Sequence, residues 1–341
     1  MKFKILHLFN HRTFVDQFIY NVNEINFENR FIFLNNENTY SGVNSKLINH
    51  VVPYSKEYKE LITSCSQFDF LFLYDLDKPK IDFVNELKKN KPIIIWIFFG
   101  ADLYSLPELK KGLFSDSTRA LVNLKRGINI AHYLKPIVRP VYQLLFKKKS
   151  LPIARKKAIA KIDLFANYGI EEYEYLNRRL KNSLPEFIEY FISANFKTIQ
   201  YTTDKSNAIL IGNSTSPYNN HIDIIRQLEN LNYDGKVTIP FSYGSQKIYI
   251  ERIKQVIKNS SLKISLLEDF LQIEDYIALI SGHSAAVFNS YRQMAMGNIF
   301  IALCAGVKVY LSQKNPSLPW FKRKEFKIFT VEDDLEEDIK K

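Results

Sequence analysis

The sequence predicts an α/β protein made of two successive parallel-sheet domains, and three observations carry that prediction. Short apolar runs alternate with segments of helical spacing along nearly the whole chain. Several of those runs, such as FDFLFLY (Phe68 to Tyr74) and IIIWIFF (Ile93 to Phe99), are apolar throughout, as strands covered on both faces are. A length of 341 residues accommodates two domains of about 150 residues each. The boundary is expected in Asn195 to Ser206, where polar residues separate two α/β rhythms, giving domains over 1–200 and 201–341.

The elements follow in order. Lys4 to Phe9 reads as the first strand, Val15 to Asn21 as a helix, and Arg30 to Leu34 and Val51-Val52 as the next strands. Ser55 to Ser64 has helical spacing, and the strand Phe68 to Tyr74 ends in Asp75-Leu76-Asp77. A helix over Ile81 to Lys89 leads through Pro92 into the most hydrophobic strand, which closes at Gly100 before Asp102. Ile162 to Ala166 is a further strand, followed by a helical region broken near Pro185. In the second half, strands are expected at Ala208 to Ile211, Lys236 to Ile239, Leu262 to Leu266, Ala285 to Phe288, Val307 to Leu311 and Phe326 to Thr330. Helices separate them: Asn219 or Asn220 to about Leu231, Tyr249 to Lys258, Glu274 to Ser281, and Met294 to Ala305 with Gly306 as C-cap.

Composition sets limits. Hydrophobic residues at 46% with 24% charged are those of a soluble globular chain. Cys65 and Cys304 share no metal or disulfide spacing, which points to a reducing compartment. The opening MKFKILHLFN runs straight into a strand pattern and lacks a signal-peptide cleavage site. The longest apolar run falls far short of the roughly 20 residues that span a bilayer, so a soluble or peripheral protein is expected. Charge is unevenly placed. Ser117 to Ile162 holds twelve Lys and Arg and no Asp or Glu, so of the net +11 the rest of the chain carries 11 − 12 = −1.

In such sheets ligands sit beyond the carboxyl ends of the strands. Polar residues recur there: Gly212, Asn213, Ser214 and Ser216 after one strand; Ser242, Tyr243 and Gly244 after the next; Glu268 and Asp269 after a third; and Asn289, Arg292, Gln293, Gly297 and Asn298 after a fourth. Arg292 beside a helix start suits a phosphate, and Gly212 to Ser216 suits one through backbone N–H groups, though Asn, Ser and Pro also make ordinary helix caps. Ser242 to Gly244 can flank a base or sugar, or be a plain turn. Glu268 and Asp269 can bond a ribose or stand as solvated turn residues. Two such domains facing each other would form a cleft for a nucleotide-bearing donor.

GNSTSPYNNHID (Gly212 to Asp223), PFSYG (Pro240 to Gly244), FNSYRQMAMGNI (Phe288 to Ile299) and FFGADLY (Phe98 to Tyr104) resemble one bacterial family. It is the TDP-N-acetylfucosamine:lipid II N-acetylfucosaminyltransferases, the 4-alpha-L-fucosyltransferases of glycosyltransferase family 56, which serve enterobacterial common antigen synthesis. The likeness covers most of the chain, is densest from 208 to 316 and is loose before 90. It implies a GT-B fold, two Rossmann-like domains about a central cleft, with a TDP- or UDP-linked nucleotide sugar held by the C-terminal one. It also implies inversion at the sugar carbon, no metal or other cofactor, and a polyprenyl-linked saccharide acceptor. The work site would be the cytoplasmic face of the bacterial inner membrane, with the protein peripheral to it.

Inversion needs a base for the acceptor hydroxyl. Asp102, following a buried strand, is the first candidate and His11 the second; Asp102 as a helix N-cap is the alternative. His283 can be a plain loop residue. Asp75-Leu76-Asp77 matches the metal–diphosphate DxD of GT-A transferases and marks a metal-dependent alternative mechanism, although Asp after a strand is also common turn chemistry. The basic segment, with Lys147, Lys148, Lys149, Lys156 and Lys157 among apolar residues, suits an anionic membrane surface. Its aromatic content is too sparse to favour nucleic acid, so no nucleic-acid partner is expected; a solvated basic hairpin, or a non-catalytic binding protein, remains the rival reading.

Overall fold

The structure, a computed structural model, describes residues 2–10, 15–23, 27–35, 46–110, 112–123, 151–190, 199–244 and 247–340. These divide into two compact units, Met1–Leu106 with Ile128–Ala194 and Pro107–Gly127 with Asn195–Lys341.

Unit 1 is organised on a seven-stranded sheet of β1 (Lys4–Phe9), β2 (Glu28–Leu34), β3 (Ile48–Val51), β4 (Phe70–Tyr74), β5 (Ile93–Ile97), β6 (Leu164–Asn167) and β7 (Glu186–Glu189). Their order is β3-β2-β1-β4-β5-β6-β7, and every pairing is parallel. The near-continuous apolar strands explain this, because both faces are covered: Phe9, Phe31, Tyr74, Ile95 and Ile97 join one core cluster, while Trp96 stacks edge-on against Phe165. His7 is buried among these aromatics, bonded to Tyr74 Oη and Asn29 Oδ1, and burial pushes its pKa down to about 4.

The expected helix beyond Pro185 is instead the edge strand β7. Helix Ile170–Arg179 ends where Lys181 and Asn182 take φ of 59° and 55°. Glu186–Glu189 then pairs with β6. The other expected elements stand within a few residues, with Ser55 as a true N-cap whose side chain accepts from Tyr58 N.

Unit 2 has a six-stranded sheet of β8 (Ser206–Ile211), β9 (Lys236–Pro240), β10 (Lys263–Leu267), β11 (His283–Phe288), β12 (Lys308–Leu311) and β13 (Phe329–Thr330). The order β10-β9-β8-β11-β12-β13 is again all parallel. Its core joins Ile209, Ile211, Val237 and Val287 to Ile222, Ile225 and Leu228 of helix His221–Asn230. The acidic tail folds as a helix, Leu335–Lys340, anchored by buried Leu335.

A boundary in 195–206 leaves Pro107–Gly127 in the first domain, whereas the structure groups it with the second. The reason is tertiary. Helix Asp116–Asn123 packs Leu121 and Val122 against the unit 2 core, and the Arg252 guanidinium donates to Leu121 O.

Candidate functional site

Both sheets reverse direction once, between their first and fourth strands, so each has a switch point where loops part. In unit 2 it lies between β8 and β11, and the residues leaving those strands are Gly212 and Asn289.

Gly212 takes φ of +67°, a conformation open to glycine, and its N–H donates to Val287 O at 2.9 Å. A Cβ there would lie 2.9 Å from both Asn219 Cγ and His221 Nε2. His221 is fully buried, bonded through Nδ1 to Tyr249 Oη at 2.9 Å, and burial pushes its pKa down to about 3. A neutral ring therefore backs the turn. Asn219 Nδ2 donates to Ser214 O, and Thr215 donates through both N and Oγ1 to Tyr243 O. The loop is thus built largely from its own polar groups. The amides of Gly212, Thr215 and Ser216 all have internal acceptors, which narrows the expected backbone cradle. Ser216 precedes the short turn Pro217–Asn219 without capping it, so its hydroxyl is not spent as a cap.

Asn220, at φ +48°, is the junction residue. Its Oδ1 accepts from Ser115 N at 2.9 Å, and its Nδ2 donates to Asn289 O at 2.9 Å and to Leu113 O at 3.5 Å. One side chain so ties the Gly212 loop, the Asn289 loop and the strap Leu113–Asn123. The strap adds Phe114, stacked on Tyr218 with centroids 4.7 Å apart, and the Arg292 guanidinium lies over that same Tyr218 ring at 4.7 Å. Asn315, in the loop after β12, donates to Ser290 Oγ and to Arg292 O, which fixes the backbone carrying the guanidinium.

Gln293 is buried, with Oε1 lacking a hydrogen-bond partner among the described residues. Helix Met296–Cys304 begins after Ala295 at φ +61° and has no side-chain cap; Gly297 and Asn298 lie in its first turn. Asn298 Nδ2 donates to Tyr276 Oη at 2.7 Å, and Asn213 Nδ2 donates to Tyr243 Oη at 2.7 Å. The Tyr243 ring is 53% exposed beside Ser242 and Gly244, so its hydroxyl is anchored while its face is open. Asp269 is exposed, whereas Glu268 pairs with Lys254. His283 is a core residue held by Leu279 O and Thr238 Oγ1, not a loop residue.

The switch point of unit 1, between β1 and β4, is chemically different. Asp75, at φ +68°, receives the fully buried Lys80 ammonium at 2.6 Å and Asn10 Nδ2 at 3.0 Å. Asp77 caps helix Lys78–Glu86, accepting from Lys80 N, and also takes Asn10 Nδ2 and the Lys80 ammonium. The DxD carboxylates are therefore occupied by a built-in cation, which removes the basis for the Asp75/Asp77 metal reading.

Asp102 lies inside the short helix Ala101–Tyr104, whose N-cap is Gly100 at φ +88°; the N-cap alternative is corrected. The Trp96 indole donates to Oδ2 at 2.7 Å, while Oδ1 is buried without a partner among the described residues. Burial, then the Asp75 charge, pushes this carboxyl up to about 7, against the pull of Trp96 and Arg155. Two residues on, Tyr104 Oη donates to buried Glu172, which also accepts from Asn167.

His11, Lys147, Lys148 and Lys149 lie outside the described residues. Lys156 and Lys157 are exposed on helix Leu151–Ile159, beside Ile153 at 61% exposure. Lys161 caps helix Lys78–Glu86 by donating to Val84, Asn85 and Leu87 carbonyls. Tyr218, Asn220, Phe114, Lys314 and Asn315 were not singled out from the sequence. The adjacent Asn219-Asn220 pair, favoured where φ is positive, was the available signal.

The architecture matches solved glycosyltransferase structures. Sucrose-phosphate synthase from Thermosynechococcus elongatus aligns with a TM-score of 0.66 at 10% identity, over 97% of this chain and 86% of that one. Anabaena HepE in complex with UDP-glucose gives 0.62 at 9% identity, over 93% and 82%. An alpha-glucosyltransferase in complex with UDP gives 0.54 at 8% identity, over 91% and 80%. At such identities these likenesses establish the fold, which is that of the GT-B glycosyltransferases. The sequence places it further: residues 142–341 match the 4-alpha-L-fucosyltransferase family, glycosyl transferase group 56, and the chain belongs to that family. It is a glycosyltransferase.

Proposed function

We propose that the chain moves a deoxy, acetamido sugar from a TDP- or UDP-linked donor to a polyprenyl-diphosphate-linked glycan, with inversion and without a metal ion. The observation that carries the donor half is the unit 2 switch point, where Arg292, the uncapped start of helix Met296–Cys304 and the Ser216 hydroxyl sit on loops bound together by Asn220. Arg292 neutralises the leaving diphosphate, and the open Tyr243 face suits the base or sugar. The UDP and UDP-glucose held by structural neighbours support a nucleotide donor.

Asp102 is the base. A carboxyl near 7 holds a proton-accepting form at neutral pH with more basicity than an ordinary aspartate, and its Oδ1 has an open acceptor position. The metal-free reading is supported by the Lys80 ammonium standing on Asp75 and Asp77. Peripheral attachment to an anionic inner-membrane surface is supported by the basic composition of 117–162 and by exposed Ile153, Lys156 and Lys157 in its described part. No helix among the described residues is long and apolar enough to cross a membrane.

The test is a transfer assay with TDP- and UDP-linked sugars and a polyprenyl-diphosphate saccharide, with and without EDTA. Transfer that persists in EDTA supports the reading; transfer abolished by EDTA and restored by Mg²⁺ or Mn²⁺ contradicts it. Liposome sedimentation checks the membrane half. Binding to anionic vesicles should weaken in a variant with Lys147, Lys148, Lys149, Lys156 and Lys157 changed to Gln, and wild-type protein that ignores such vesicles at low salt contradicts it.

A further inference from the structure

We infer that Lys314 is a second cation for the donor diphosphate, sharing its charge with Arg292; this rests on the donor-site reading above. Lys314 lies in the loop that leaves β12, the strand paired with β11, so it belongs to the same carboxyl edge as Arg292. The two loops are fastened together. Asn315 Nδ2 donates to Ser290 Oγ at 3.1 Å and to Arg292 O at 3.3 Å, and Asn315 Oδ1 accepts from Ser317 N at 2.9 Å. Lys314 N is itself held by Ser312 Oγ. The backbones carrying the two cations are therefore fixed relative to each other.

Both side chains lie over tyrosine rings, and the Arg292 guanidinium also donates to Gln293 O. Lys314 Nζ stands 4.6 Å over the Tyr291 ring, and the Arg292 guanidinium 4.7 Å over the Tyr218 ring. Three other lysines of this unit are ion-paired: Lys254 with Glu268, Lys308 with Asp338 and Lys340 with Glu336. Nearby, Glu332 accepts from Ser312 Oγ and Gln313 N, and Asp333 accepts from the Gln313 amide. A π face holds an ammonium weakly and leaves its full charge in place, so a phosphate can draw it off the ring at small cost. Two consecutive residues, Tyr291 and Arg292, thus supply one parking ring and one cation, and the neighbouring loop supplies the other cation. A diphosphate, with two adjoining anionic groups, is the ligand chemistry that uses both.

The experiment measures Kd for UDP, UMP, TDP and TMP by calorimetry on wild type, Lys314→Gln and Lys314→Arg, with melting temperatures as a control on folding. Two cations sharing a diphosphate make the second phosphoryl group valuable. The preference for diphosphate over monophosphate should fall about tenfold in Lys314→Gln and survive in Lys314→Arg. A preference unchanged in Lys314→Gln overturns the inference, whether both affinities stay or both weaken together. Wild-type protein that binds none of the four removes the donor-site reading itself, an outcome distinct from failure of the Lys314 step alone.

Discussion

The two switch points share a topology and use charge in opposite ways. At the β1/β4 point of unit 1, a cation is buried and consumed: Lys80 is fully enclosed and divided between Asp75 and Asp77. In unit 2, Arg292 after β11 and Lys314 after the neighbouring β12 lie over tyrosine rings. In the first arrangement, removing either partner would leave a buried charge uncompensated. On the proposed donor-site reading, the second offers positive charge to a ligand. Topology alone therefore does not make a site; what the loop residues do with their charges decides it.

The largest effect expected from breaking this contrast is at Lys80. Lys80→Met leaves Asp75 buried with no cation and should cost about 3–5 kcal/mol of stability in urea unfolding. A loss below about 1 kcal/mol would mean that the unit 1 pair is not structural. Nucleotide affinity at sub-denaturing conditions should be unaffected.

Asp102 in unit 1 has one carboxyl oxygen without a hydrogen-bond partner among the described residues. Asp102→Asn keeps size and the Trp96 bond, and should lower turnover about a hundredfold, roughly 2.7 kcal/mol of activation energy, with little change in donor binding. Full turnover would return it to the role of a buried partner for Trp96.

Arg292→Ala is the mirror of the Lys80 change. It should weaken binding of UDP or TDP by about tenfold or more, with stability in urea unfolding altered by less than about 1 kcal/mol. A variant that unfolds easily but binds normally would reverse the assignment of the two edges.

A pH dependence of stability is expected as well. The Asp102 carboxyl is raised from 3.8 to about 7 by burial, so the native state holds a proton that the unfolded chain has released. Stability from this group is full below about pH 4 and is lost as pH rises through about 7. Wild type should therefore lose ground to Asp102→Asn across that window and run parallel to it above. A flat difference would show that the carboxyl is not shifted.

Much of this was legible in the sequence, and the reasons are local. The run IIIWI marks β5 because a strand buried on both faces has no polar positions, and Phe288 followed by NSYRQ marks the end of β11 by an abrupt change of composition. Ser55 and Gly306 announced helix ends through their own backbone chemistry. What was not legible depends on distance along the chain. Nothing near Phe114 announces that it stacks on Tyr218, 104 positions later, and this is why the strap fell to the wrong domain. The DxD stood as an alternative metal site because Lys80, three and five residues on, could have pointed anywhere until the helix beginning at Lys78 turned it inward. EFIE gave too short a pattern to be told from a helix.

The most direct test of the account is hydrogen exchange of the intact protein with and without saturating UDP or TDP. Slower exchange is expected at the amides of 212–220 and 289–298, and unchanged exchange at 75–80. Protection that appears at 75–80, with 212–220 and 289–298 unaffected, would contradict it.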